Sequence, residues 1–148
     1  MVLLELMILF TDSVLYLLLL VFPLYLWGEN KDQLFFYLMT GFITGCLVYL
    51  LKIIFSVPRP IGALIETSTM AFPSLHAASG FFLLGFFFNK KRWRIPLLLY
   101  ALLIAYSRVF LKVHYWSDVI VGSIIGFLVP VLIYQMAFLK KKEDSGKN

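Results

Sequence analysis

Five apolar runs divide this chain, and nearly all its charged residues fall between them or at their ends. They occupy residues 2–27, 33–56, 73–88, 95–111 and 119–139. A helix crossing the hydrocarbon core of a bilayer needs roughly 20 apolar residues, and a buried backbone in lipid must satisfy its own hydrogen bonds. The runs therefore predict an all-α, polytopic transmembrane helix bundle of about five spans. Composition agrees: 61% of residues are hydrophobic, against roughly 45–50% in soluble domains. With 148 residues, residues 1–139 make one transmembrane domain, residues 140–148 form a charged tail expected to be disordered, and an appended soluble module has no room. There is no internal repeat.

The first run admits two readings. It is one long helix with Pro23 inside it, or a short sixth, interfacial segment followed by a span starting near Ser13. Asp12-Ser13 has the chemistry of an N-cap, which favours the second. Nothing basic precedes this run, the first Lys or Arg being Lys31, so no cleavable signal peptide is expected. In the second run Gly41 and Gly45 form a small-xxx-small pattern that suits close helix packing. Cys46, the single cysteine, reads as a small buried filler. Residues 57–71 are a loop, because Pro58 and Pro60 stop the preceding helix.

The net charge is +5. A nucleic-acid surface does not explain it, since the basic residues sit between spans, where membrane topology accounts for them. Lys31, the turn holding Lys90, Lys91, Arg92 and Arg94, and the tail lysines all fall on one side of an alternating bundle. The positive-inside rule makes that side cytoplasmic and the C-terminus internal. Lys52, Arg59, Arg108 and Lys112 fall on the other side, against the rule, and so call for a reason other than topology.

That side also collects His76, His114 and Asp118. Ionisable groups near membrane spans are costly unless paired or solvated. If residues 107–118 are helical, His114 and Asp118 lie on one face, where the carboxylate can fix the imidazole tautomer and free its other nitrogen to attack. Arginines bring planar forks that match phosphate. Ser74 and His76 open a span whose N-terminal N–H groups suit an anion. His76, His114 and Asp118 also have the ligand types of a metal site, but adjoining cations oppose a bound dication, so neither metal nor other cofactor is expected.

Lys52-x6-Arg59-Pro60, Pro73-Ser74-Leu75-His76 and Ser107-Arg108-x5-His114-x3-Asp118 together resemble the three ordered motifs of the type 2 phosphatidic acid phosphatase superfamily, the lipid phosphatase branch related to vanadium haloperoxidases. The resemblance covers about residues 50–120. It implies that His114 is the nucleophile that becomes a phosphohistidine, that Asp118 orients it, and that His76 protonates the leaving oxygen. It assigns Lys52, Arg59, Ser74 and Arg108 to the phosphoryl group. Leu75 stands where the family usually has glycine, and membrane members commonly have six spans.

The expected function is hydrolysis of a lipid phosphate at the outer face of the cell membrane, with the lipid chain remaining in the bilayer. The candidate substrates are a polyprenyl diphosphate, phosphatidylglycerophosphate, phosphatidic acid and a phosphorylated glycolipid such as lipid A. Lys112, as an additional cation, favours the diphosphate. The competing class is a non-catalytic lipid-phosphate binder or transporter, which leaves two histidines unexplained. Tyr115 and Trp116 read as interfacial aromatics, and Glu66 as solvated.

Overall fold

The computed structural model describes residues 2–29, 31–65 and 68–145; Glu66 lies outside them. The elements are α1 (Val2–Ile8), a π-helical turn (Leu9–Ser13), α2 (Val14–Glu29), α3 (Lys31–Phe55), α4 (Leu75–Phe86), α5 (Lys91–Phe110) and α6 (Trp116–Ser145), with no strand among the described residues. Four helices are long and apolar enough to cross a membrane: Glu5–Gly28, Lys31–Phe55, Lys91–Phe110 and Trp116–Ala137. The protein is thus a multi-pass helical membrane bundle.

Four expectations change here. The N-terminal run is one helix rather than a short segment and a span, because α1, the π-turn and α2 follow without a break. Asp12 is not a cap; it lies inside the helix, where its carboxylate meets Arg108. The run expected over 73–88 is a helix of only 12 residues, about 18 Å long and too short to cross alone. It does not face lipid along its length: Ala77, Ala78, Phe82, Leu83 and Leu84 are buried, and α3, α5 and α6 pack around it. The last helix does not stop at residue 139 but continues to Ser145. Residues 146–148 lie outside the described part.

The close helix contact also sits elsewhere than expected. A Cβ added to Gly45 would meet nothing within 4 Å, and one at Gly41 would touch only the Phe82 ring. Those glycines instead line a cavity of about 290 Å³ between α2, α3 and α4. The tight crossing uses Gly122 and Gly126 of α6, where an added Cβ would strike the carbonyl oxygens of Ser74 and Ala78. Here α6 lies directly on the backbone of α4, which only glycine permits. Ser74 N–H completes the join by donating to the Asp118 carbonyl at 2.9 Å. The N-termini of α4 and α6 are thereby fixed side by side.

Further from that join, Phe22, Leu26, Tyr37, Phe82, Phe87, Leu97 and Ile104 form the apolar core. Outward-facing Leu20, Phe42, Ile53, Leu99 and Met136 are exposed, as lipid-facing side chains should be. Cys46 is exposed among them rather than buried.

Candidate active site at the joined helix ends

The stretch 107–118 is not one helix. α5 ends at Phe110 and α6 starts at Trp116, with Lys112 between them in the left-handed region at φ 54°. Asp118 explains where α6 begins. Its Oδ2 accepts from Tyr115 N–H at 2.8 Å, the reach-back of a capping box. His114 therefore lies in the turn rather than on a helical face. The turn still brings its Nδ1 to 3.4 Å from Asp118 Oδ2, and both side chains are almost wholly buried. The pair is close but poorly aligned, since Nδ1 is a buried atom without a formed hydrogen bond.

The cations reach this histidine from three elements. Lys52, on the last turns of α3, is buried and donates through Nζ to the carbonyls of Met70 (2.7 Å) and Ala71 (3.4 Å). Those bonds tie the helix end to the far end of the 57–71 loop. Arg59 ties the same loop to the turn: Nε donates to Thr69 O at 2.6 Å and Nη1 to Val113 O at 2.8 Å, next to His114. Arg108, from α5, is 1% exposed and donates through Nε to Ser107 Oγ at 3.1 Å.

Burial first, and then the charges of Arg59, Lys52, His76 and Arg108, push the His114 imidazole down to about 3. It is therefore neutral, the form with a free lone pair. Burial lowers Arg59 from the usual arginine range, Asp118 opposes that, and Arg108 adds to it. Arg59 bonded to Val113 O, and Ser74 N–H bonded to the Asp118 carbonyl, bring the three motifs to one locus.

Ser74 is the α4 N-cap, fully buried, with Oγ accepting from Ala77 N–H at 3.4 Å. The Leu75 and His76 N–H groups have no intrahelical acceptor. The Leu75 side chain turns away into the cavity lined by Gly41, Gly45 and Ser79, so its bulk lies beside the cation cluster rather than in it. His76 is partly exposed, with Nε2 3.4 Å from Asp12 Oδ1 and 3.5 Å from the Tyr16 hydroxyl. Lys112 is exposed. Tyr115 and Trp116 are exposed at the same end.

The N-terminal helix adds a wall that the motifs do not contain. Asp12 Oδ1 is 2.9 Å from Arg108 Nη2, and the Thr11 hydroxyl accepts from the same nitrogen. One signal in the sequence could have found it: an aspartate inside an apolar run is costly unless partnered.

Lys52, Arg59 and Arg108 meet both imidazoles at the joined helix ends of this membrane bundle, a charge pattern suited to a phosphoryl group. Residues 33–142 match the PAP2 superfamily, and the chain belongs to it. The lipid A 4'-phosphatase of Bacteroides thetaiotaomicron is 41% identical over 71 residues, 45% of this chain but only 31% of that protein's length. The crystal structure of Aquifex aeolicus LpxE superposes with a TM-score of 0.77 at 27% identity, covering 90% of this chain and 86% of that one. The first transmembrane PAP2-type phosphatidylglycerolphosphate phosphatase from Bacillus subtilis gives 0.76 at 27% identity, covering 91% and 76% respectively.

Proposed function

We propose that this protein hydrolyses a phosphate monoester on a membrane lipid, without a metal, through a phosphohistidine on His114. The observation that carries the reading is a buried, neutral imidazole, 3.4 Å from a buried carboxylate and subject to the charges of Lys52, Arg59 and Arg108. Phosphoryl transfer asks mainly for positioning and charge neutralisation. Here three fixed cations supply the charge that a metal supplies elsewhere. His114 Nε2 attacks phosphorus as the bond to the lipid oxygen breaks; His76, which takes up a proton as the anionic phosphate binds beside it, passes that proton to the leaving oxygen. Water then attacks the phosphohistidine, with His76 as base, and releases orthophosphate. Asp118 keeps Nδ1 facing it, so that the positive imidazolium formed on phosphorylation is compensated.

A monoester is favoured over a diphosphate because Lys112, the ground for expecting a second phosphate, is exposed, whereas Lys52 and Arg108 are buried in the site. The relatives named a lipid A 4'-phosphatase and a phosphatidylglycerolphosphate phosphatase support lipid monoesters as the class. The cavity lined by Leu75, Ser79, Gly41 and Gly45 begins one residue from His76 and offers an apolar path for the lipid chain. The positive-inside bias supports a site on the outer face and a C-terminus inside.

Release of orthophosphate from phosphatidylglycerophosphate, phosphatidic acid, a lipid A phosphate and a polyprenyl diphosphate, in detergent with EDTA, tests the reading. Turnover of monoesters with chelator present is expected. Binding without turnover would place the protein among non-catalytic lipid-phosphate binders, and loss of activity restored by a divalent metal would overturn the metal-free mechanism.

A further inference from the structure

The cation that most needs a counter-charge already has one, and it comes from outside the three motifs. Arg108 is 1% exposed, so its guanidinium is costly to leave unpaired. Asp12 Oδ1 meets it at 2.9 Å and lies 3.4 Å from His76 Nε2. A single carboxylate oxygen thus bridges the phosphate-binding arginine and the proton-donating imidazole. In the reaction proposed above, that is the place of an oxygen on the substrate's phosphoryl group. The two occupants exclude each other: a phosphate bearing at least one negative charge cannot lie beside Asp12 on the same two donors without strong repulsion.

The local backbone is built for this contact. Successive residues of an α-helix diverge by about 100°, so neighbours rarely reach one atom. The π-helical turn Leu9–Ser13 widens the helix here, and both Thr11 Oγ1 and Asp12 Oδ1 reach Arg108 Nη2. Such turns recur at functional sites. The Asp12 side chain is 28% exposed, against 2% for Arg108. The arginine is fixed, and the carboxylate is the partner with room to move.

We propose that Asp12 is a specificity-determining residue, a carboxylate that holds the anion seat between Arg108 and His76 and must be displaced by each incoming phosphate. The inference rests on the phosphatase reading for its purpose but not for its test. A lipid phosphate is confined to the bilayer surface and meets the site at high effective concentration, so it can displace the carboxylate. Free orthophosphate in dilute solution lacks that advantage. After turnover the returning carboxylate also drives the product out. Asp12 thereby discriminates against soluble phosphate and relieves product inhibition.

The test is orthophosphate binding to the purified full chain in detergent, by calorimetry or phosphorus NMR, for the wild type, Asp12→Asn and Asp12→Ser. Asparagine keeps an oxygen for Arg108 but removes the charge; serine, much shorter, guards against a peculiarity of either variant. Orthophosphate should bind at least tenfold more tightly to both variants and inhibit their turnover correspondingly more. Unchanged or weaker orthophosphate binding would overturn the proposal, and with it a selective loss on poor leaving groups would make Asp12 a positioning residue for His76 instead. Tighter binding in variants of a protein that hydrolyses no lipid phosphate would uphold the carboxylate's role while refuting the phosphatase reading.

Discussion

Replacing Asp118 by asparagine separates the carboxylate's structural work from its chemical work. Its side chain accepts from Tyr115 N–H at 2.8 Å and stands 3.4 Å from His114 Nδ1. Asparagine keeps a side-chain oxygen that can accept from Tyr115 N–H, so the first interaction survives and stability should change by less than about 1 kcal/mol. The second loses its charge. At 3.4 Å and an effective dielectric of about 20, a carboxylate attracts an imidazolium by about 5 kcal/mol. This is an upper bound, and leaving a buried charge without its partner typically costs about 3–5 kcal/mol. The imidazolium exists only once phosphorus is attacked, so the loss falls on the barrier. We expect kcat/KM to drop by roughly 10²–10⁴, equally for lipid monoesters and p-nitrophenyl phosphate, with the melting temperature in detergent nearly unchanged. Asp118→Ala should lose the same activity and about 1 kcal/mol of stability besides. An Asp118→Asn enzyme with more than a tenth of wild-type activity would refute the orienting role.

Arg59→Lys and Arg108→Lys keep the charge but lose the planar fork, and each should lower lipid phosphatase activity at least tenfold, measured by phosphate release. Lys112→Ala, by contrast, should act alike on monoesters and diphosphates. Gly126→Leu would drive a side chain into the Ala78 carbonyl, separating α4 from α6; overpacking of this kind costs about 1–3 kcal/mol or more and should appear as a lowered melting temperature. A reporter after Asn148 should lie in the cytoplasm and one in the 57–71 loop outside; a cytoplasmic 57–71 loop would contradict the assigned orientation.

The apolar runs and the charged residues among them were legible because each depends on residue type alone. Runs of apolar side chains need no partner to be recognised, and Lys52, Arg59, His76, Arg108, His114 and Asp118 stand out against hydrocarbon. What was not legible depends on which surface meets which. Gly41 and Gly45 have the same spacing as Gly122 and Gly126, yet the first pair lines a cavity and the second touches a backbone. Asp12 looks like a cap because Asp-Ser before an apolar run usually is one; its partner, Arg108, lies 96 positions along the chain, since 108 − 12 = 96. The His114–Asp118 pair was expected on one helical face and instead meets across a turn, because the Asp118 carboxylate starts α6 only at Trp116. The partners were right although the conformation joining them was not.

The proposed mechanism gives two histidines different tasks, and the dependence of rate on leaving group measures that difference most directly. His114→Ala removes the nucleophile and should abolish turnover of both an alkyl phosphate and p-nitrophenyl phosphate. His76→Ala removes a proton donor worth roughly 10²–10⁴-fold, which matters for an alkoxide and little for p-nitrophenolate. The His76→Ala enzyme should therefore fail on the alkyl phosphate yet keep substantial activity on p-nitrophenyl phosphate. If His114→Ala were instead the variant rescued by the good leaving group, the nucleophile would not be His114, and the mechanism built around its buried imidazole would be wrong.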